Sequence, residues 1–114
     1  MVDEKELLDM AFEAVELAKK SGKVRKGTNE VTKAVEKGTA KLVVVAKDVN
    51  PPEIVMHLPL LAEEKDIVAV EVPTREDLGA SAGLDVPTTT VAITQEGEAK
   101  KLVKEVVDKA KAAK

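Results

Sequence analysis

Between residues 23 and 33 the chain reads Lys23-Val24-Arg25-Lys26-Gly27-Thr28-Asn29-Glu30-Val31-Thr32-Lys33. Bases crowd just ahead of a helix start at Gly27-Thr28. The first amides of a helix are unpaired and partly positive, which suits phosphate, and a glycine there permits close approach. Asn29 and Lys33 are four apart and share one helix face, with Glu30 beside them. An amide both donates and accepts, an ammonium donates, and a carboxylate only accepts. Together they match the edge of guanine: Glu30 can accept from its N1–H and amino group, while Lys33 and Asn29 donate to O6 and N7. A surface meant only for phosphates has no use for Glu30. The same residues also suit a solvated first turn, with Asn29 as cap and Glu30 complementing the helix dipole. Residue types alone leave both readings open.

The charge distribution favours a polyanion. The 114 residues carry a net charge of −3, but residues 19–47 hold nine bases against two acids, net +7. Residues 48–98 hold two bases against eleven acids, net −9. A local positive field inside an acidic chain attracts polyanions. Apolar residues interrupt the basic block throughout, so it is not a disordered charge run. Other chemistries drop out by composition. There is no cysteine, hence no disulfide, thiolate metal ligand or Cys nucleophile. A single histidine, His57, removes any His-pair metal site. With one Phe and no Trp or Tyr, bases cannot be held by stacking on aromatic side chains. No metal and no cofactor is expected, and Gly27 belongs to neither a GxGxxG nor a P-loop pattern. The longest apolar run, Leu42 to Ala46, is too short for a bilayer, and the N-terminus is acidic where a signal peptide is basic. A cytoplasmic protein without membrane contact is the expectation.

Other polar residues read plainly. His57, next to Leu58-Pro59, suits a packed or capping role. Asp48 follows a strand end, where doubly wound proteins place phospho-acceptor carboxylates, but that chemistry needs acidic partners at another strand end. Glu63-Glu64 and Glu76-Asp77 read as solvated helix faces, and Lys100, Lys101 and Lys104 as the outer face of a last helix or a secondary phosphate contact.

The elements that must position these groups alternate along the chain. Leu7, Leu8, Ala11, Ala14, Val15 and Ala18 have helical spacing, predicting a helix over 3–20 that ends at Gly22. Val24–Lys26 is a short extended piece, and a second helix runs from Thr28 to Gly38. Residues 42–46, 67–72 and 88–94 read as buried strands. A third helix starts at Pro51-Pro52, and Pro59 should kink it or split it in two. Thr74 with Asp77 starts a short helix ending at Gly83, and residues 97–113 form the last, with Leu102, Val103, Val106 and Ala110 inward. The fold class is α/β: one domain over 1–114, a three-layer α/β/α sandwich with about four strands and helices on both faces.

The run from Arg25 to Gly38 resembles the signature of the archaeal ribosomal protein L-seven-Ae family of kink-turn RNA-binding proteins. The likeness continues through Leu42–Asn50 and Pro51–Leu61, and resumes at Asp77-Leu78-Gly79, Ala82-Gly83 and Val91-Ala92-Ile93. It covers nearly the whole chain in order and implies the same three-layer fold. By this resemblance Lys26, Gly27, Thr28, Asn29, Glu30 and Lys33 meet the RNA, and Gly27, Asn29, Glu30 and Lys33 among them read the tandem sheared G·A pairs of a kink-turn. Asn50, Ile54 and Arg75 would hold the flipped-out bulge nucleotide, with Asn50 replacing an acidic residue and Arg75 a frequent lysine. Leu84, Asp85 and Val86 match a loop that rests on the bulge.

The resemblance implies a non-enzymatic protein that stabilises kink-turns in large-subunit ribosomal RNA, in box C/D and H/ACA guide RNAs, and in ribonuclease P RNA. Implied neighbours are a Nop-domain scaffold and the methyltransferase fibrillarin, and the free protein is expected to be a monomer. Two competing expectations stand beside it: a small phospho-acceptor domain using Asp48, and a protein-interaction module.

Overall fold

Apolar residues recurring every three or four positions build the first helix, α1 (Glu4–Ser21), whose Ala11, Ala14, Val15 and Ala18 are fully buried. The computed structural model describes residues 4–46, 53–85 and 87–112. After α1 come β1 (Lys23–Lys26), α2 (Thr28–Glu36), β2 (Leu42–Ala46), α3 (Glu53–Glu64), β3 (Ala69–Val72), α4 (Arg75–Ser81) and β4 (Thr90–Gln95). A 3-10 turn, Gly97–Ala99, leads into α5 (Lys100–Ala112).

The four strands form one mixed sheet in the order β1-β4-β2-β3. Strands β2 and β3 run parallel, pairing Ala46 with Val72, while β4 runs antiparallel to β2 and to β1. All five residues of β2 are buried, as a central β-branched strand covered on both faces requires. Helices α2 and α3 pack together on one face; α1 and α4 cover the other, with α5 beside α1. This is the three-layer α/β/α arrangement expected, with four strands.

Some boundaries differ from the sequence reading. Pro59 does not divide its helix: α3 runs unbroken from Glu53 to Glu64. Leu58 and Ala62 are fully buried there, so packing holds the segment helical across the missing N–H. The ladder takes up only the ends of two apolar runs, starting at Ala69 and at Thr90. The extended piece around Val24 is a full edge strand, with Val24 opposite Ile93 and Lys26 opposite Val91. Strands β1 and β4 are far apart in sequence, so no local pattern announces their pairing. Helix α3 closes through Asp66, the single non-glycine with positive φ (61°) among the described residues.

Candidate nucleic-acid interface

The sheet register gathers the candidate residues at one end. Strand β1 ends there at Lys26 opposite Val91, and β4 begins there at Thr90 opposite Val45. Strands β2 and β3 also end there, at Ala46 and Val72. Helix α2 therefore leaves from this edge, α4 with Arg75 leaves from the far side, and the loop bearing Leu84 and Asp85 returns between them into β4.

At the α2 flank, Gly27 is the N-cap, with φ 91° and ψ 150° and no side-chain cap. Its N–H donates to the Thr90 carbonyl (3.1 Å), and its own carbonyl accepts from Val31 (3.0 Å). That backbone conformation is essentially reserved for glycine. A Cβ at Gly27 would meet no atom within 4 Å, so the glycine serves the turn, and the space above it is open. Because Gly27 fills the cap position, Asn29 is the second helical residue and does not cap; that reading drops out.

Helix α2 buries Val31, Ala34 and Val35, each valine contributing roughly 2 kcal/mol of transfer free energy. With that face turned inward, Asn29, Glu30 and Lys33 are all exposed. At ~100° per residue they fall in one sector about 100° wide, with Lys33 between the other two. An amide, a carboxylate and an ammonium thus share one solvent-facing surface beside an uncapped helix start.

Lys26 and Thr28 are half-buried. The Thr28 hydroxyl lies 3.4 Å from that of Thr89, and its carbonyl accepts from the Thr32 hydroxyl (2.7 Å). Thr28 therefore fastens the helix start to the returning loop. Thr89 and Thr90, the anchors beneath α2, were not visible as such in a run of three threonines. The Thr90 hydroxyl is buried and has no hydrogen-bond partner among the described residues.

On the far flank Thr74 caps α4, accepting from the Asp77 N–H (3.3 Å) while its hydroxyl donates to the Asp77 carboxylate (2.8 Å). The next residue, Arg75, is exposed, and its carbonyl accepts from the Thr88 N–H (3.2 Å). Leu84 is half-buried against the core, and Asp85 is exposed. Both line a hollow of about 360 Å³ with Glu76, Ala80 and Pro87.

Asn50, Val86 and Asp48 lie outside the described residues, as do the side chains of Ile54 and His57, both carried on α3. Lys100, Lys101 and Lys104 are exposed on α5, whose Val103, Val106 and Ala110 face the core. Among the described residues no group of three or more His, Cys, Asp or Glu could hold a metal ion, and no helix is long and apolar enough to cross a membrane.

Comparison with known proteins bears on the fold and the family. The solved structure of the Giardia lamblia 15.5kD RNA binding protein is similar at a TM-score of 0.89 and 34% sequence identity, over 94% of this chain and 89% of that one. A family model described as Ribosomal protein L7Ae/L30e/S12e/Gadd45 family matches residues 9–103. With that match spanning most of its length, from within α1 into α5, the chain belongs to the L7Ae/L30e/S12e/Gadd45 family of ribosomal proteins.

Proposed function

We propose that this chain is a non-enzymatic RNA-binding protein that recognises and stabilises kink-turns. The observation that carries the reading is the exposed trio Asn29, Glu30 and Lys33 on one face of α2, beside the open backbone of Gly27. The solved relative, itself an RNA-binding protein, supports the RNA class. Bound to sheared G·A pairs, Glu30 accepts from guanine N–H groups and Asn29 and Lys33 donate to purine acceptors. Lys26 and the first amides of α2 meet phosphate. Arg75, Leu84 and Asp85, with Asn50, Ile54 and Val86, take the bulged nucleotide on the other flank.

A kink-turn draws phosphates together and is opposed by their repulsion. A protein that contacts only the bent form shifts the equilibrium by its differential affinity. The basic segment offsets the repulsion, and the trio supplies selectivity. Hosts of this kind are large-subunit ribosomal RNA, box C/D and H/ACA guide RNAs and ribonuclease P RNA, where binding nucleates ribonucleoprotein assembly. A Nop-domain scaffold and fibrillarin would join it on guide RNAs, in a cytoplasmic particle of archaeal type, with this one domain acting as a monomer before assembly.

The test titrates the protein into an end-labelled kink-turn RNA and into a control with its G·A pairs replaced. Tight binding and a shortened end-to-end distance are expected for the first RNA alone, and Lys33→Ala should lose roughly 1–3 kcal/mol of that affinity. Equal affinity for both RNAs refutes base reading.

A further inference from the structure

The exposed face of α2 does not stop at Lys33. Beyond it lies an open groove of about 410 Å³ between α2 and the edge strand β1. Lys33 and Lys37 stand along its helix wall, and Lys23 and Arg25 along its strand wall. One helical turn separates the first two, about 6 Å. Two strand residues separate the second two, about 7 Å, on the same side of β1. All four are exposed, and among the described residues none forms an ion pair, although Glu30 lines the same groove. Thr39, Thr94 and Gln95 complete the lining, with the Thr39 hydroxyl donating to the Ala34 carbonyl (3.2 Å) and the Thr94 hydroxyl to the Lys23 carbonyl (3.3 Å).

We infer that this groove is a second RNA subsite, taking the sugar–phosphate backbone of the duplex that continues from the sheared pairs. The inference rests on the kink-turn reading and extends it away from the sheet end. Two facing rows of unpaired cations suit a strand of regularly spaced anions, and the strand wall uses residues that no base-reading role needs. Glu30 at one end decides between polyanions. An acidic peptide brings side-chain carboxylates that Glu30 repels and has donors only on its backbone, whereas RNA carries a 2′-hydroxyl donor on every nucleotide. The two hydroxyls keep lone pairs that can accept from a 2′-hydroxyl, and the Gln95 amide can donate to a phosphate oxygen. Lys23 and Lys37 belong to this subsite alone.

The experiment compares wild type with the double variant Lys23→Gln/Lys37→Gln. Two kink-turn RNAs are used, one with a long duplex beyond the G·A pairs and one cut short there. Wild type should prefer the long RNA, and the variant, which keeps only Arg25 and Lys33 of the four cations, should lose most of that preference. If each lysine neutralises one phosphate at a slope of about 0.9, the wild-type advantage on the long RNA grows about twelvefold between 200 and 50 mM salt. A variant that keeps the wild-type preference and salt dependence overturns the subsite, and so does a polyglutamate peptide that displaces the long duplex at equal charge. Failure of the underlying reading is separate: wild type would then bind the RNA with replaced G·A pairs equally well. Both side chains are exposed, so circular dichroism should show the variant folded as wild type.

Discussion

Two glycines at opposite ends of α2 form a matched pair for testing the interface. Gly27 (φ 91°) precedes the helix and Gly38 (φ 72°) follows it, and a Cβ on either meets nothing within 4 Å. Nine helical residues separate them, about 14 Å of rise. At Gly27, with ψ 150°, a side chain costs about 1–3 kcal/mol of backbone strain. At Gly38 the left-handed conformation costs about 1–2 kcal/mol. In both, alanine returns about 0.4–1 kcal/mol by restricting the unfolded chain. Urea denaturation should therefore show Gly27→Ala less stable by about 1–2 kcal/mol and Gly38→Ala by about 1 kcal/mol. Binding should separate them further. On the proposed interface the new methyl of Gly27→Ala enters space the RNA occupies, so kink-turn affinity should fall at least about tenfold, or 1.4 kcal/mol. Gly38→Ala, measured on the RNA cut short beyond the G·A pairs so that the groove beside Lys37 and Thr39 stays empty, should change it less than about twofold, well under 1 kcal/mol. Measured at a temperature where both variants are folded, equal affinity loss in the two refutes the placement of RNA over Gly27. A Gly27→Ala protein as stable as wild type refutes the conformational argument itself.

Two further substitutions test energetics away from the interface. Thr90→Val removes a buried hydroxyl that has no partner among the described residues while keeping the side chain's shape, so it should stabilise by about 1 kcal/mol in urea denaturation; lower stability would mean that the hydroxyl is satisfied. Asp66→Asn keeps a residue tolerant of positive φ at the end of α3 but removes a negative charge beside a helix C-terminus that already carries Glu63 and Glu64 and has no base in its last turn. It should gain about 0.3–1 kcal/mol, and the gain should shrink in high salt; a salt-independent gain would point away from electrostatics.

The layers and the helices were legible in the sequence because each element buries a face and writes that face as a period. The α1 alanines and Val15, and the unbroken Val43-Val44-Val45 run, are of this kind. The α4 cap was legible too, since Thr74 and Asp77 stand at the spacing of a reciprocal cap. The order and direction of strands were not, because they depend on contacts between distant residues. Lys26 opposite Val91 has no local signature. At the interface, residue chemistry singled out Asn29, Glu30 and Lys33, and the helix burial pattern then fixed their common face. The gathering of Arg75, Leu84 and Asp85 at the same sheet end came only from the family resemblance, since it depends on strand register. Lys23, Arg25 and Lys37 counted in the basic block, but their groove exists only once β1 lies beside α2.

The bond from the Gly27 amide to the Thr90 carbonyl has a consequence for biosynthesis. It closes a loop of about 63 residues, at a chain-entropy cost of roughly 4 kcal/mol. Until β4 has been synthesised, β1 has no sheet to join, because β4 is its one neighbour in the sheet, and the glycine turn below α2 has nothing to hold it. A nascent chain halted before Thr90 already contains Asn29, Glu30 and Lys33, yet it lacks the anchor that sets their helix in place. On that ground, competence for RNA should switch on late in translation, when the last third of the protein clears the exit tunnel, and not when the basic segment first emerges.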